Sequence, residues 1–92
     1  MLTIEWQKRA QTNLEKILTY IATDNKKAAT DLLQTINDTL IVTASYPYMY
    51  KKSQRLKGCR EVIPHPNYII FYQITSHAIV IKNIVHARRK FP

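Results

Sequence analysis

Near its end the chain reads IVHARRKFP, residues 84–92. His86 is followed within four residues by Arg88, Arg89 and Lys90, and then by Phe91. An imidazole exchanges protons near neutral pH. A guanidinium is always charged, and its fork fits phosphate oxygens. An aromatic ring can stack on an unpaired base. Together these types suit binding of, and proton transfer at, a phosphodiester. Each also has a plainer use: His86 as a strand-end histidine with a satisfied hydrogen bond, Phe91 as an apolar pin for the terminus. His65 lies between Pro64 and Pro66. Each proline fixes φ and restricts its predecessor, so the ring is held stiffly; a rigid turn explains the segment equally well. Arg60 falls in a strand pattern, where a charge must face an open surface or find a partner. It is a candidate phosphate clamp. Lys51, Lys52, Arg55 and Lys57 read as contacts to a nucleic-acid backbone, or singly as solvated loop charges. Three scattered histidines and one cysteine have no metal-ligand spacing. A single glycine allows no Gly-rich phosphate loop. No metal and no cofactor are expected.

Charge placement sharpens this. The net charge is +8. Residues 1–46 carry five cations and five carboxylates, which cancel. Residues 47–92 carry nine cations against Glu61 alone. A field confined to one half attracts a polyanion or an acidic protein. The length of 92 residues suits one domain, residues 1–92, with a modest core. No apolar run reaches the roughly 20 residues that span a bilayer, and the mixed charges of MLTIEWQKRA do not read as a signal peptide. The lone Cys59 permits no internal disulfide, so a reducing cytoplasm is the expected location.

Something must position these groups. Leu2, Ile4 and Trp6 alternate with polar residues and predict a short strand. Ala10, Leu14, Ile17, Leu18 and Ile21 then recur at helical spacing. Asp24 or Asn25 is a natural N-cap for a second helix, whose stripe is Ala29, Leu32, Leu33, Ile36 and Leu40. The pair predicts an αα-hairpin ending before SYPYMY, where Pro47 blocks continuation. KKSQRLKG is a basic loop or edge strand, and CREVI a strand stopped by Pro64 and Pro66. YIIFYQI and AIVIKNIVH are strands joined through TSH, with His77 in a solvated turn. The order is β-α-α-β-β-β: an α+β fold, an antiparallel sheet with a two-helix hairpin on one face. In a strand through Ala78–His86, alternation puts Lys82 and His86 on one face and Ile79, Ile81, Asn83 and Val85 on the other. The apolar set is expected to meet the helices, leaving Lys82 and His86 on the open side.

With this order, the chain resembles the RelE/ParE superfamily of bacterial toxins from type II toxin–antitoxin modules. The resemblance rests on Trp6 with Ala10, on YIATDNKKAA (Tyr20 to Ala29), LKGCRE (Leu56 to Glu61), NYIIFYQI (Asn67 to Ile74) and IVHARRKFP. KGCREVIPHPNYIIFYQI, with the later histidine and terminal aromatic, is most similar to the YafQ-like ribonucleases. Ile63 stands where that branch has a histidine, with His65 two residues on, and Asn67 stands where it has an aspartate. The resemblance implies a metal-independent, ribosome-dependent endoribonuclease that cleaves mRNA through the 2′-hydroxyl. His86 would be its acid or base, with Arg60, Arg88 and Lys82 around the phosphate and His65 as a further catalytic candidate. Lys51, Lys52, Arg55, Lys57, Arg89, Lys90 and Phe91 would hold the strand. The implied partners are a cognate antitoxin, with an acidic and otherwise disordered segment, and the ribosome with its mRNA. The alternative branch inhibits DNA gyrase and has no nuclease activity. A generic small RNA-binding domain is the third reading.

Overall fold

The computed structural model describes residues 1–88. Arg89, Lys90 and Phe91 lie outside the described residues. The elements run β1 (Thr3–Trp6), α1 (Lys8–Asp24), α2 (Lys26–Ser45), β2 (Arg60–His65), β3 (Tyr68–Ile74) and β4 (Ala78–His86).

Asn25 alone joins the two helices. Its extended backbone ends α1, and its side-chain oxygen accepts the Ala28 amide to open α2. The apolar stripes of the hairpin, with the small Ala10 and Ala44 among them, pack on one face of the sheet. Ile36, Leu40, Val62, Ile70, Tyr72, Ile79, Ile81 and Ile84 form the centre of that core, each essentially without solvent contact. The opposite face is smaller: Cys59, Ile69 and Phe71, flanked by Leu56, Val85 and Ala87.

The sheet order is β1-β4-β3-β2. β2, β3 and β4 are antiparallel, but β1 runs parallel to β4. The sheet is therefore mixed, not antiparallel throughout. Turn lengths dictate the direction of β2, β3 and β4, whereas β1 reaches β4 only through both helices and the rest of the sheet. β2 also runs through Pro64 to His65 instead of stopping before the proline. It is an edge strand, where a missing N–H leaves no ladder bond unmade.

A third difference from expectation bears on the site directly. Phe71 pairs with Asn83 and Tyr72 with Ile81, which leaves Lys82 as an extra residue in β4. This bulge resets side-chain alternation. Ile84 joins the helix-side core, Val85 packs on the far face, and His86 turns toward α1. Strict alternation had assigned Val85 and His86 to each other's faces.

Candidate functional site

At one end of the sheet, register stacks three rings. His65 pairs with Tyr68, and Tyr68 with His86. The Tyr68 ring lies 5.9 Å from that of His65 and 5.3 Å from that of His86, edge-on to the latter. Tyr68 was not foreseen; its signal was an aromatic opening the strand directly after His65-Pro66-Asn67. Two adjoining clefts flank this row beneath the helix junction. One, of about 430 Å³, is lined by Asn13, Lys16, Ile17, Tyr20 and His86. The other, of about 410 Å³, is lined by Ala28, Asp31, Thr35, His65 and Asn67, and the two share Ile21 and Tyr68.

Backbone amides hold both histidines. His86 Nδ1 accepts the Arg88 N–H at 3.2 Å, and His65 Nδ1 accepts the Asn67 N–H at 3.1 Å. The Ala87 N–H donates to the Asn67 carbonyl at 2.7 Å, tying the two ends together. An acceptor Nδ1 puts the proton of a neutral imidazole on Nε2. Neither ring then has a free lone pair. Each can donate a hydrogen bond, but serves as a base only after releasing its amide.

Arg60 is elsewhere. It pairs with Tyr72 at the opposite end of β3, four residues from Tyr68. At about 3.3 Å per residue and about 4.8 Å per strand, its Cα lies roughly 16 Å from that of His86. Its guanidinium donates to the Tyr50 carbonyl at 2.6 Å and sits 5.1 Å from the centre of the Tyr48 ring. Lys82 is also apart from His86: it lies close enough to Cys59, on the far face, to favour that thiolate. Burial wins at Cys59 and pushes the thiol up, so Cys59 is a neutral small hydrophobe. Arg88 is exposed, with its backbone on His86. His65 and His86 thus flank Tyr68 in one row, with the Arg88 backbone on His86, while Arg60 stands at the other end of the sheet and Lys82 acts on Cys59.

The basic loop is a built structure. The Ser53 hydroxyl donates to the Glu61 carboxylate at 2.7 Å and accepts the Arg55 and Leu56 amides. Gly58 closes it at φ +83°, a conformation side chains rarely adopt. Lys51, Lys52, Arg55 and Lys57 are exposed around it. Beside it Tyr72 is fully buried and donates to the Pro47 carbonyl at 2.7 Å. Burial, partly offset by the Arg60 charge, pushes its phenol up to about 12. Neither Ser53 nor Glu61 was foreseen as an organiser; a lone carboxylate in so basic a segment was the available signal.

The family model for "ParE toxin of type II toxin-antitoxin system, parDE" matches residues 4–91. The chain belongs to the ParE toxin family. It is thus a RelE/ParE superfamily member and the toxin of a type II toxin–antitoxin system. Among curated relatives, "Putative toxin Y4kP" of Sinorhizobium fredii is 33% identical, covering 97% of this chain and 92% of that one. Among solved structures, the chromosomal ParDE system of P. aeruginosa superposes with a TM-score of 0.77 at 16% identity, over 94% of this chain and 96% of that one. The E. coli DinJ–YafQ complex gives 0.59 at 18%, over 94% and 93%. Such identities speak for the ParE-like fold alone. Among the described residues, no helix is long and apolar enough to cross a membrane.

Proposed function

We propose that this ParE-family toxin acts by binding and inhibiting DNA gyrase, and not by cleaving mRNA. The observation that carries the proposal is the separation of Arg60 and Lys82 from His86. Cleavage through a 2′-hydroxyl needs a base at that oxygen, an acid at the leaving oxygen and cations around one phosphorane. Here Arg60 is bonded to Tyr50 at the far end of the sheet, and the Lys82 charge acts on Cys59, which belongs to the far-face cluster. Both histidines have their Nδ1 lone pairs engaged. The match of the ParE family model across residues 4–91 supports the same branch. An inhibitor by binding needs only surface and charge, and its target places its work in the cytoplasm. The other partner is a cognate antitoxin, as in the ParDE and DinJ–YafQ assemblies; an acidic, otherwise disordered segment would complement the basic half of the toxin.

The endoribonuclease reading keeps one observation in its favour, the gathering of His65, Tyr68, His86 and Arg88 at one end of the sheet. Its partners would be the ribosome and mRNA. A supercoiling assay separates the two. Purified toxin added to gyrase, ATP and relaxed plasmid should block supercoiling in proportion to its concentration. Full supercoiling at excess toxin removes the gyrase assignment.

A further inference from the structure

The last turns of α2 carry a face that none of the described residues covers. Gln34, Asp38, Ile41 and Ser45 follow at spacings of four, three and four, which keep to one side of a helix, and all four are exposed. The outward side of a surface helix is polar as a rule. Here it turns apolar at Ile41 and its neighbour Val42. The apolar surface continues through Tyr46 and Met49, which the Met49 N–H ties together by donating to the Tyr46 carbonyl. Met1 lies alongside, because the Leu2 N–H donates to the Ala44 carbonyl. Tyr48, against Arg60, marks where this surface meets the basic loop. Tyr46 and Tyr48 are 65% and 70% exposed, which leaves roughly 200–340 Å² open at about 150–250 Å² per aromatic side chain. With Ile41, Val42, Met1 and Met49 added, the patch reaches the roughly 300–600 Å² of the largest apolar patch on a monomer, a size that is often functional.

We infer that this face takes a second copy of the chain, in a two-fold dimer whose α2 helices pack antiparallel about Ile41 and Val42. Charge selects the occupant. Residues 28–50 hold Asp31 and Asp38 and no lysine or arginine. A nucleic acid, an anionic lipid surface or an acidic peptide needs cations within the contact, and this stretch supplies none. A second copy needs only self-complementarity. Antiparallel pairing about Ile41 and Val42 sets each Asp38 level with the second copy's Ser45, and about 1.5 Å of helix rise from its Tyr46. The Asp38 carboxylate takes the Gln34 amide on Oδ1, which leaves Oδ2 to accept the second copy's Tyr46 hydroxyl. The cations of the second half begin only at Lys51, so this pairing brings no lysine or arginine of α2's last turns against another. An interface of this size suits a dimer dissociation constant of roughly 1–50 µM. The inference goes beyond the gyrase assignment and does not rest on it.

The test is sedimentation equilibrium of the purified toxin from 1 to 200 µM, at 50 and 300 mM salt. Wild type should pass from monomer to dimer within that range. The dimer should hold or tighten at the higher salt, because screening weakens the repulsion between two copies that each carry +8. Ile41→Glu and Ile41→Lys should each be monomeric throughout, and Tyr46→Ala should weaken the dimer about tenfold or more. Mixing the Glu and Lys variants should restore a dimer, because position 41 meets its own counterpart region across a two-fold axis. Ile63→Glu makes the same change at an exposed residue of β2 and should leave the dimer within about twofold. These side chains are exposed, so the variants should keep the wild-type far-ultraviolet circular dichroism. A wild type still monomeric at 200 µM overturns the inference; a monomer that floats with phosphatidylglycerol vesicles and loses this in Ile41→Glu would give the face to lipid instead. A dimer that survives Ile41→Glu, falls equally to Ile63→Glu, dissociates with salt or fails to return in the mixture overturns it as well. Because the assay contains no gyrase, its failure leaves the supercoiling result untouched, and the reverse holds as well.

Discussion

Arg60→Ala should destabilise the protein even where no target is present. The guanidinium makes a charge-assisted hydrogen bond of 2.6 Å to the Tyr50 carbonyl. Bonds of that kind contribute about 1.5–3 kcal/mol. The contact with the Tyr48 ring, at 5.1 Å and solvent-facing, adds about 0.5–1 kcal/mol. Truncation also leaves a partly buried carbonyl unsatisfied, a cost already within the first figure. The expected loss is about 2–4 kcal/mol, a large share of the 5–15 kcal/mol typical of a domain. With a urea slope of about 1.5 kcal/mol/M, the unfolding midpoint should fall by about 1.3–2.7 M. Arg60→Lys keeps the charge but loses the planar fork, and should recover less than half of that. The assay is equilibrium urea unfolding followed by circular dichroism, paired with a growth assay. A midpoint within 0.3 M of wild type, together with abolished toxicity, would refute the reasoning. Arg60 would then act on a ligand without bracing the 47–50 turn.

Other outcomes follow from the same structure. Asn25→Ala removes the side-chain cap of α2 and should cost about 1 kcal/mol, read as a lower melting temperature. Tyr72→Phe removes the bond to the Pro47 carbonyl and should cost about 1 kcal/mol at neutral pH. Its folded pKa, raised to about 12, means a stability contribution present below about pH 10 and lost as pH rises through 12. The wild type should therefore lose stability steeply over that window, and Tyr72→Phe should flatten the loss in alkaline unfolding curves. Deleting Lys82 removes the extra residue of the bulge while keeping every flanking pair. The variant should fold with His86 still beside Tyr68, seen as a ring-to-ring nuclear Overhauser effect; loss of that contact would contradict the bulge assignment.

Much of this was legible in the amino-acid order. The 3.6-residue stripes marked both helices, and β-branched runs marked β3 and β4. What failed was local. Alternation in β4 holds through Ile79 and Ile81, but no periodicity announces that Lys82 is left out of the ladder, so His86 was expected on the wrong face. The parallel partner of β1 depends on where the hairpin delivers the chain, which no local pattern encodes. At the site, His65, His86 and Arg88 were recognisable by type and neighbours. Their separation from Arg60 was not, because it arises from register: Arg60 is fixed opposite Tyr72 and His86 opposite Tyr68. Tyr68 and Ser53 were overlooked because an aromatic at a strand start and a serine in a basic loop are common residues whose roles appear only through their partners.

The central claim is that the toxin binds its target and does not cut RNA. The most direct test is to map mRNA 5′ ends genome-wide in the minutes after induction, while following plasmid supercoiling in the same cultures. The account predicts relaxed plasmid with no toxin-dependent mRNA ends, in wild type and His86→Ala alike. New ribosome-dependent ends that vanish in His86→Ala, with supercoiling intact, would contradict it.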